Sequence, residues 1–284
     1  MFTLKLENNK HNIVDINDRR NYVVTAVSGL NPPSATLFTS KSPNRKGVKH
    51  NGSSLNERVI TITIKLLGDV EGNRNALYEW IDTEQYVKIY YSNGVKSVYC
   101  EGYVSDCEID LFTESEEILL NITCGDPYWK DLKEISYEIS NILRQFKFPF
   151  SIGSAGIPFS TIKTTNTTNI LNTGTETGGL FIVKCLNRTR NLVIQNANDT
   201  SQRFEIRGID LEKNWVIVIN TDGSPKTVKA IKPDGSEVNL MRWVGYNATW
   251  FVLKRGNNLF SYEVDTDWSD VEMTVKFTHK YLGV

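Results

Sequence analysis

Residues 58–66 read RVITITIKL, and residues 118–129 read ILLNITCGDPYW. Every second residue is apolar from Ile60 to Leu66 and from Ile118 to Cys124, which is the period of a β-strand with one buried face. Each large side chain buried in this way stabilises its strand by roughly 1.5 to 3 kcal/mol. Pro127 has no N–H for a ladder, so pairing should end before it. We therefore expect these two strands to anchor one sheet of the fold.

The length of 284 residues predicts two domains, with a single large β domain as the alternative. Hydrophobic residues make up 40% of the chain and charged residues 23%, which describes a globular protein that can bury a full core. The formal net charge of −1 argues against a general attraction to nucleic acid or to an anionic membrane. The sequence contains neither the apolar run of a signal peptide nor the roughly 18 apolar residues of a membrane span. We expect a chain that folds where it is made, with no membrane insertion.

Residue types with catalytic or metal-binding chemistry are few and scattered. The spacing of the four cysteines fits no disulfide framework and no common zinc pattern, so we expect buried free thiols. None of the three histidines has a Ser, a Cys or a second His at the spacing of a triad or a metal site. The sequence therefore predicts no catalytic residue, no metal site and no cofactor. A pair of glycosidase carboxylates stays open, because its members need only meet in space.

Four of the six tryptophans lie in the second half of the chain. Trp215 and Trp250 stand within apolar runs, and we expect them in the core. Trp243 and Trp268 stand among polar neighbours and are the better candidates for a surface role. Since an exposed aromatic face can stack on a sugar ring, these two residues are the candidate sugar-binding residues.

Residues 31–57 are poor in apolar side chains, with Leu37 and Phe38 among the few large ones. A segment of this length and composition is uncommon inside a compact domain unless it is disordered or makes a contact. Its cations include Arg45 and Lys46, and no aromatic platform for bases is interleaved with them. A solvated loop, a protein-binding arm and a nucleic-acid site are the three alternatives. In the second of these, the four side chains named here are the candidate contact residues.

A short helix is expected between the two anchoring strands. Leu77, Trp80 and Ile81 recur at helical spacing, and the acidic residues before them suit a helix N-terminus. Arg74 and Tyr78 lie in this helix and are further candidates for contact with a partner.

Four other features follow from local patterns in the sequence. Residues 1–30 contain one or two strands. Asn93-Gly94 stands between two apolar runs and predicts a hairpin with a type I′ turn, which needs positive φ at both positions. Gly102 predicts a bulge in the outgoing strand. Residues 130–149 fit both a strand and a helix by pattern, which slightly favours the helix.

The second half is more openly β. Short runs of strand-forming residues recur about every dozen residues, and Asp222-Gly223 and Pro233-Asp234-Gly235 are turn signals between them. This spacing predicts a β-sandwich. The runs are 180–183, 191–194, 202–206, 215–219, 250–253, 259–262 and 271–280.

Taken together, the sequence resembles the distal tail proteins of phages and phage-derived particles that infect Gram-positive bacteria. Each shared motif is short, and their common order along nearly the whole chain carries the likeness. The motifs are Gly29–Pro33, the strand from Arg58 with the helix and hairpin after it, Asn121–Trp129, Phe146–Phe150, Asn172–Gly174 with Thr177–Gly179, Ile219–Thr221, Trp250–Leu253 with Gly256–Asn258, and Tyr281–Val284.

The resemblance implies a mainly β fold. An N-terminal ring-forming β domain, a sandwich or split barrel with one short helix and a long arm, would be followed by a C-terminal galectin-like β-sandwich. We expect the first domain over 1–130, a crossover over 131–156 and the sandwich over 157–284. The residues Asp126, Pro127, Tyr128 and Trp129 should mark the domain crossover. The resemblance also implies that the chain after them is extended, which replaces the preference for a helix.

The function implied by the resemblance is structural rather than enzymatic. Six copies would form a ring at the tip of the virion tail, assembled in the host cytoplasm. One face would dock on the tail tube protein, and the other would receive a hub or tail-associated protein. DNA would pass through the lumen without specific binding. A carbohydrate-binding module for recognition of the host cell wall is the alternative, with a glycoside hydrolase behind it.

Overall fold

The structure is a computed structural model of the chain. It describes residues 2–43, 46–109, 116–139 and 166–284, together with the backbone of 142–144 and 160–162. The chain forms two compact units, Met1–Leu132 with Lys280–Val284, and Lys133–His279. The last five residues thus belong with the first unit, which the sequence did not indicate.

The first unit contains ten strands, counting the start of β10, and one helix among its described residues. Their bounds are β1 Thr3–Asn8, β2 Ile13–Asp15, β3 Tyr22–Ser28, β4 Ala35–Ser40, β5 Lys49–Leu55, β6 Arg58–Leu66, α1 Val70–Trp80, β7 Tyr86–Ser92, β8 Ser97–Ile109, β9 Glu117–Cys124 and the start of β10, Trp129–Ile139.

The two anchoring strands predicted from the sequence are β6 and β9. They pair antiparallel along their length, with Ile62 opposite Leu120, and their apolar faces are buried. The strand order is β3-β6-β9-β8-β7-β1-β2, with all neighbours antiparallel. The long strand β8 joins the two halves of this sheet, because residues 97–103 pair with β7 and residues 103–109 pair with β9. Side chains from both halves form one core.

The predicted helix is confirmed as α1. Asp69 caps it by accepting a 3.1 Å hydrogen bond from the N–H of Gly72, which satisfies one of the free donors at a helix start. Leu77 is buried in the core of the unit and anchors the helix there. No helix in the described ranges has the length and apolar content that crossing a membrane requires.

The predicted hairpin is present, but the prediction of a type I′ turn is wrong. Ser92 pairs with Ser97, so the loop has four residues rather than two, and Gly94 has positive φ while Asn93 does not. The side chain of Asn93 accepts hydrogen bonds from the N–H groups of Val95 and Lys96, which stabilises this wider turn. Hydrogen bonds from nearby backbone N–H groups to an Asn side chain can stabilise a turn in place of backbone-to-backbone hydrogen bonds.

The bulge predicted at Gly102 is also wrong. The register of β8 against β9 shifts between Val104 and Asp106 instead. A Cβ on Gly102 would lie 2.6 Å from the carbonyl oxygen of Thr123. Glycine is therefore needed there because β8 and β9 approach closely, and not because the strand bends.

Residues 34–55 form a hairpin, which we call the arm. β4 and β5 pair only with each other among the described strands, with Leu37 opposite Ser53. The sequence did not predict strands here, because the alternation of apolar residues that marks a buried face is absent. The segment is therefore regular β-structure rather than the solvated loop that was one of the alternatives, and its role in contacts stays a prediction.

The second unit is a β-sandwich, as predicted. One sheet has the order β19-β18-β17-β14-β21-β10 and the other β13-β20-β15-β16, with β11 paired to β12 apart from both. The strands are β11 Ile142–Arg144, β12 Ser160–Ile162, β13 Thr167–Asn172, β14 Leu180–Cys185, β15 Thr189–Asn196, β16 Asp199–Leu211, β17 Val216–Asn220, β18 Thr227–Ile231, β19 Glu237–Asn239, β20 Gly256–Glu263 and β21 Val271–Tyr281. The inner faces of the two sheets form one apolar core.

The strand alternative after Trp129 is confirmed by β10, whereas the motif Phe146–Phe150 lies outside the described residues. The expected strand at 250–253 is absent apart from a single bridge between Leu253 and Thr177. Trp215 and Trp250 are only half-buried, so their expected place inside the core is wrong.

Candidate assembly surfaces

A buried arginine organises one end of the first unit. Arg58 opens β6 in phase with Ile60 and Ile62, so its side chain points inward, where it is only 2% exposed. Its guanidinium donates four hydrogen bonds to backbone carbonyls, and the fork-shaped group suits several acceptors at once. The acceptors are Pro127 at 2.8 Å, Asn31 at 2.7 Å, Leu282 at 2.6 Å and Gly29.

These four carbonyls come from three separate parts of the chain. Gly29 and Asn31 precede the arm, Pro127 lies in the predicted crossover, and Leu282 lies in the returning segment 280–284. Burial lowers the pKa of Arg58, and the charge-assisted bonds offset the cost of burying the cation. One side chain therefore fixes the position of all three segments.

The local backbone is shaped to allow this contact. Gly29 has a φ of +85°, and a Cβ on it would lie 2.2 Å from the carbonyl oxygen of Val59. Only glycine fits such a position. Val284 also donates its N–H to the carbonyl of Leu30 at 3.2 Å, which holds the returning segment beside the root of the arm.

The predicted crossover residues meet at this end of the unit. Trp129 is fully buried, with its ring centroid 5.5 Å from the guanidinium carbon of Arg58. The carboxylate of Asp126 pairs with Lys130 at 3.1 Å and with Lys280 at 3.8 Å. The ring of Tyr128 has the Lys280 ammonium 5.5 Å from its centroid.

Lys130 has a second carboxylate partner, Glu101, at 2.9 Å. Burial raises the pKa of Glu101, but the hydrogen bond and the charge of Lys130 outweigh that effect, so its pKa lies below the ordinary value. The crossover is thus held by an ion-pair network on the surface and by Arg58 beneath it.

The arm exposes apolar side chains. Leu37 is 62% exposed and Phe38 54%, and Val48 is similarly exposed. At the root of the arm, Asn56 donates to Ser34 through both its backbone N–H and its side chain. Exposed apolar groups of this size on a protruding hairpin are typical of a surface that another molecule covers. Lys46 is exposed on the arm, and Arg45 lies outside the described residues.

The two candidate contact residues of α1 differ in their surroundings. Tyr78 is 41% exposed. The side chain of Arg74 is mostly covered and pairs with Glu116 at 3.3 Å and Glu71 at 3.5 Å. Tyr78 is therefore available to a partner, whereas Arg74 already stabilises its own unit.

Two strands of the half-sheet β3-β6-β9-β8 have an edge that no described strand covers. β3 pairs only with β6. β8 pairs with β7 as far as Tyr103, and beyond that residue its second edge has no described partner strand. Unpaired edges present backbone donors and acceptors that can bind another chain.

The residue types that could bind a metal or take part in catalysis have structural surroundings in the described residues. The described residues contain no group of three or more His, Cys, Asp or Glu side chains that could hold a metal ion. The four cysteines are free, and all except the half-buried Cys107 are buried. Buried His279 is hydrogen-bonded to Asn172 at 2.9 Å and to Thr173 at 3.3 Å.

The candidate sugar-binding tryptophans are half-buried and pack against the core of the second unit. The guanidinium carbon of Arg242 lies 4.7 Å from the ring centroid of Trp243. A sugar that stacks on that face would have to displace the cation. Trp268 lies in a 3-10 turn, Trp268–Asp270, that Asp267 caps.

The sequence analysis missed Arg58. The sequence did contain a signal, because Arg58 stands two residues before Ile60 and therefore on the buried face of the strand. A cation on that face needs hydrogen-bond partners inside the protein.

One family model matches most of the first unit. The family model described as the phage tail protein RIFT-related domain matches residues 11–124. No curated protein matches the chain. Residues 11–124 are therefore similar to a phage tail domain.

Solved structures similar to the chain come from phage tails. The crystal structure of the SPP1 Dit (gp 19.1) protein, described as a paradigm of the hub adsorption apparatus in phages infecting Gram-positive bacteria, matches with a TM-score of 0.67 over 99% of both chains, at 13% identity. The activated baseplate of phage P2 with Ca contains a chain that matches with a TM-score of 0.52 over 100% of both chains, at 14% identity. The same baseplate with Sr gives a TM-score of 0.50, at 14% identity over 98% of both chains.

The resemblance stated from the sequence is thus confirmed for the tail domain and for the fold of the whole chain. Together the matches support a structural component of a phage tail or baseplate.

Proposed function

We propose that the chain is a distal tail protein that forms a six-membered ring at the tip of the virion tail. The ring joins the tail tube to a hub or tail-associated protein in a phage, or a phage-derived particle, of a Gram-positive host. The observation that carries this proposal is the first unit itself, which matches a phage tail domain and has two open strand edges and an arm with exposed apolar side chains.

Ring closure follows from the position of the open edges. β3 lies at one border of the half-sheet β3-β6-β9-β8, and the uncovered part of β8 lies at the other. Pairing of β3 in one copy with β8 in the next uses two different surfaces. Such a head-to-tail interface generates a closed ring when the rotation between copies closes. It also removes the exposed edges.

The outward face of this half-sheet suits a lumen that passes DNA. Most of its side chains are polar or acidic, among them Thr63, Glu108, Glu117 and Asn121. The same face carries one described cation, Lys65, opposite Glu117, and the apolar Val59 and Leu119. Carboxylates repel the DNA phosphates, so the duplex slides past them without being held.

The test is the mass and shape of the purified full-length protein. Light scattering should give about 194 kDa, six times the 32.3 kDa of one copy, and negative-stain images should show hollow six-fold rings. Deletion of Lys41–Lys49 should abolish the rings. A protein that stays monomeric at every concentration, and that is also absent from tail particles, would overturn the proposal, and hexamers that survive the deletion would remove the arm from it.

A carbohydrate-binding module is the second candidate, because Trp243 and Trp268 keep part of their surface exposed. A glycan array with the full chain tests it. Binding that is lost in Trp243→Ala or Trp268→Ala would favour this candidate, and peptidoglycan turnover by the wild type would favour a hydrolase.

A further inference from the structure

The arm and the segment around α1 carry opposite charges. Residues 34–55 contain four cations, Lys41, Arg45, Lys46 and Lys49, and no Asp or Glu. Residues 69–84, which we call the α1 segment, contain five carboxylates, Asp69, Glu71, Glu79, Asp82 and Glu84, and one cation, Arg74. The formal charges are therefore +4 and −4, in a chain whose net charge is only −1.

The described members of both charged groups lie on the surface, and most of them form no ion pair within their own copy. All five carboxylate residues of the α1 segment are exposed, as are Lys41, Lys46 and Lys49 of the arm. Among the described residues, the one ion pair of the five carboxylates is the contact of Glu71 with Arg74, at 3.5 Å. Both surfaces therefore keep most of their charge for a partner.

Each surface also carries exposed apolar area. The arm offers Leu37 and Phe38, and the α1 segment offers Tyr78 with the half-buried Trp80 beside it. Aromatic and aliphatic anchors surrounded by complementary charge are the usual composition of a protein interface. Complementary charge mainly speeds the encounter of the two surfaces and selects the partner, whereas burial of these apolar side chains adds affinity.

Chain geometry keeps the two surfaces apart within one copy. The arm enters β6 at Arg58, and the α1 segment begins beyond Leu66 at its other end. A nine-residue strand spans roughly 30 Å. The described structure shows no hydrogen bond or ion pair between the arm and α1. Because the arm and the α1 segment lie at opposite ends of β6, contact between two different copies is favoured over contact within one copy.

We propose that the arm of one copy docks on the α1 segment of the next copy. The inference rests on the proposed ring and names the acceptor of the arm, which the ring alone does not specify. Each copy then gives one arm and receives one, as a head-to-tail interface requires. This contact acts beside the pairing of strand edges and fixes which neighbour is accepted.

A charge-swap experiment tests the contact. One full-length variant carries Lys41→Glu, Lys46→Glu and Lys49→Glu, which changes the formal charge of the arm from +4 to −2. A second carries Glu71→Lys, Glu79→Lys and Glu84→Lys, which changes the α1 segment from −4 to +2. In each variant alone, the docking surfaces have the same sign, so the concentration needed for ring assembly should rise at least about tenfold. In an equimolar mixture, each arm meets a helix of opposite charge on the other variant, so alternating rings should form at nearly the wild-type concentration.

Light scattering of the two variants and of their mixture gives the result. A control variant with Lys184→Glu, Lys213→Glu and Lys226→Glu, which makes the same change of charge as the arm variant on exposed residues of the second unit, should assemble like the wild type. Raising the salt concentration should weaken wild-type assembly, because screening acts on exposed pairs.

Each outcome is decisive for one claim. If wild type and control form rings but the mixture does not assemble better than its components, the arm docks elsewhere and the inference fails while the ring stands. If the wild type itself never assembles and is also absent from tail particles, the proposed ring fails and the docking contact fails with it.

Discussion

The guanidinium of Arg58 lies against the buried ring of Trp129, with 5.5 Å between its central carbon and the ring centroid. Arg58 is the first residue of β6, and Trp129 is the first residue of β10, the strand that leads out of the first unit. The root of the arm and the strand that leaves the first unit therefore share one buried cation. Any ring interface formed by the arm inherits its orientation from this contact.

Arg58→Met should strongly destabilise the protein. The apolar side chain leaves four buried carbonyls without their donor, and each unpaired group costs about 1 to 3 kcal/mol. We expect a loss of at least about 3 kcal/mol in the free energy of unfolding, measured by urea denaturation. Arg20→Met, at an exposed arginine, should change it by less than about 0.5 kcal/mol. A loss as small as that in Arg58→Met would show that the four bonds contribute little.

Gly29→Ala and Gly47→Ala form a matched pair. Both glycines have a φ near +85°, so both substitutions incur a backbone cost of about 1 kcal/mol. A Cβ at position 47 has open space, whereas one at position 29 would overlap the carbonyl of Val59. Thermal and urea unfolding should therefore show a clearly larger loss for Gly29→Ala. Equal losses would contradict the tight packing at the root of the arm.

Stability should fall in acid partly through Glu101. Its pKa is lowered in the folded protein, so it binds a proton more readily when unfolded. The stability that it contributes is present above its ordinary pKa and is lost as the pH falls through its folded value. Urea midpoints at pH 7 and pH 3.5 should differ less in Glu101→Gln than in the wild type. Lys130→Met should reduce the difference in the same way, since it removes the partner, and an unchanged difference in both variants would refute this role.

Leu77→Ala and Tyr78→Ala should separate folding from assembly. Leu77 is buried in the core, and its truncation should cost about 2 to 5 kcal/mol of stability. Tyr78 is exposed, so its truncation should leave the urea midpoint almost unchanged and raise the concentration needed for ring assembly. A Tyr78→Ala protein that assembles as readily as the wild type would take Tyr78 out of the docking surface.

The sequence alone determined the elements whose signal is local. The alternation around Ile60 and Ile118, the helical spacing of Leu77 with Ile81, and the alternation from Val271 onward each report which side of an element is buried. Burial repeats with the geometry of the backbone, so a few residues in a row suffice. Residues 130–139 show the limit, since their apolar residues fit two periods and the pattern slightly favoured a helix where the structure has a strand.

Tertiary structure decided what depends on partners distant in sequence. The arm became a hairpin although its strands bury no apolar face. Arg58 reached carbonyls up to 224 positions away, and the segment 280–284 returned to the first unit. No short pattern encodes such contacts, because their free energy exists only after the chain has brought both partners together. Local patterns therefore account for the helix and for the strands that bury one face, whereas the position of the arm depends on contacts that only the folded chain makes.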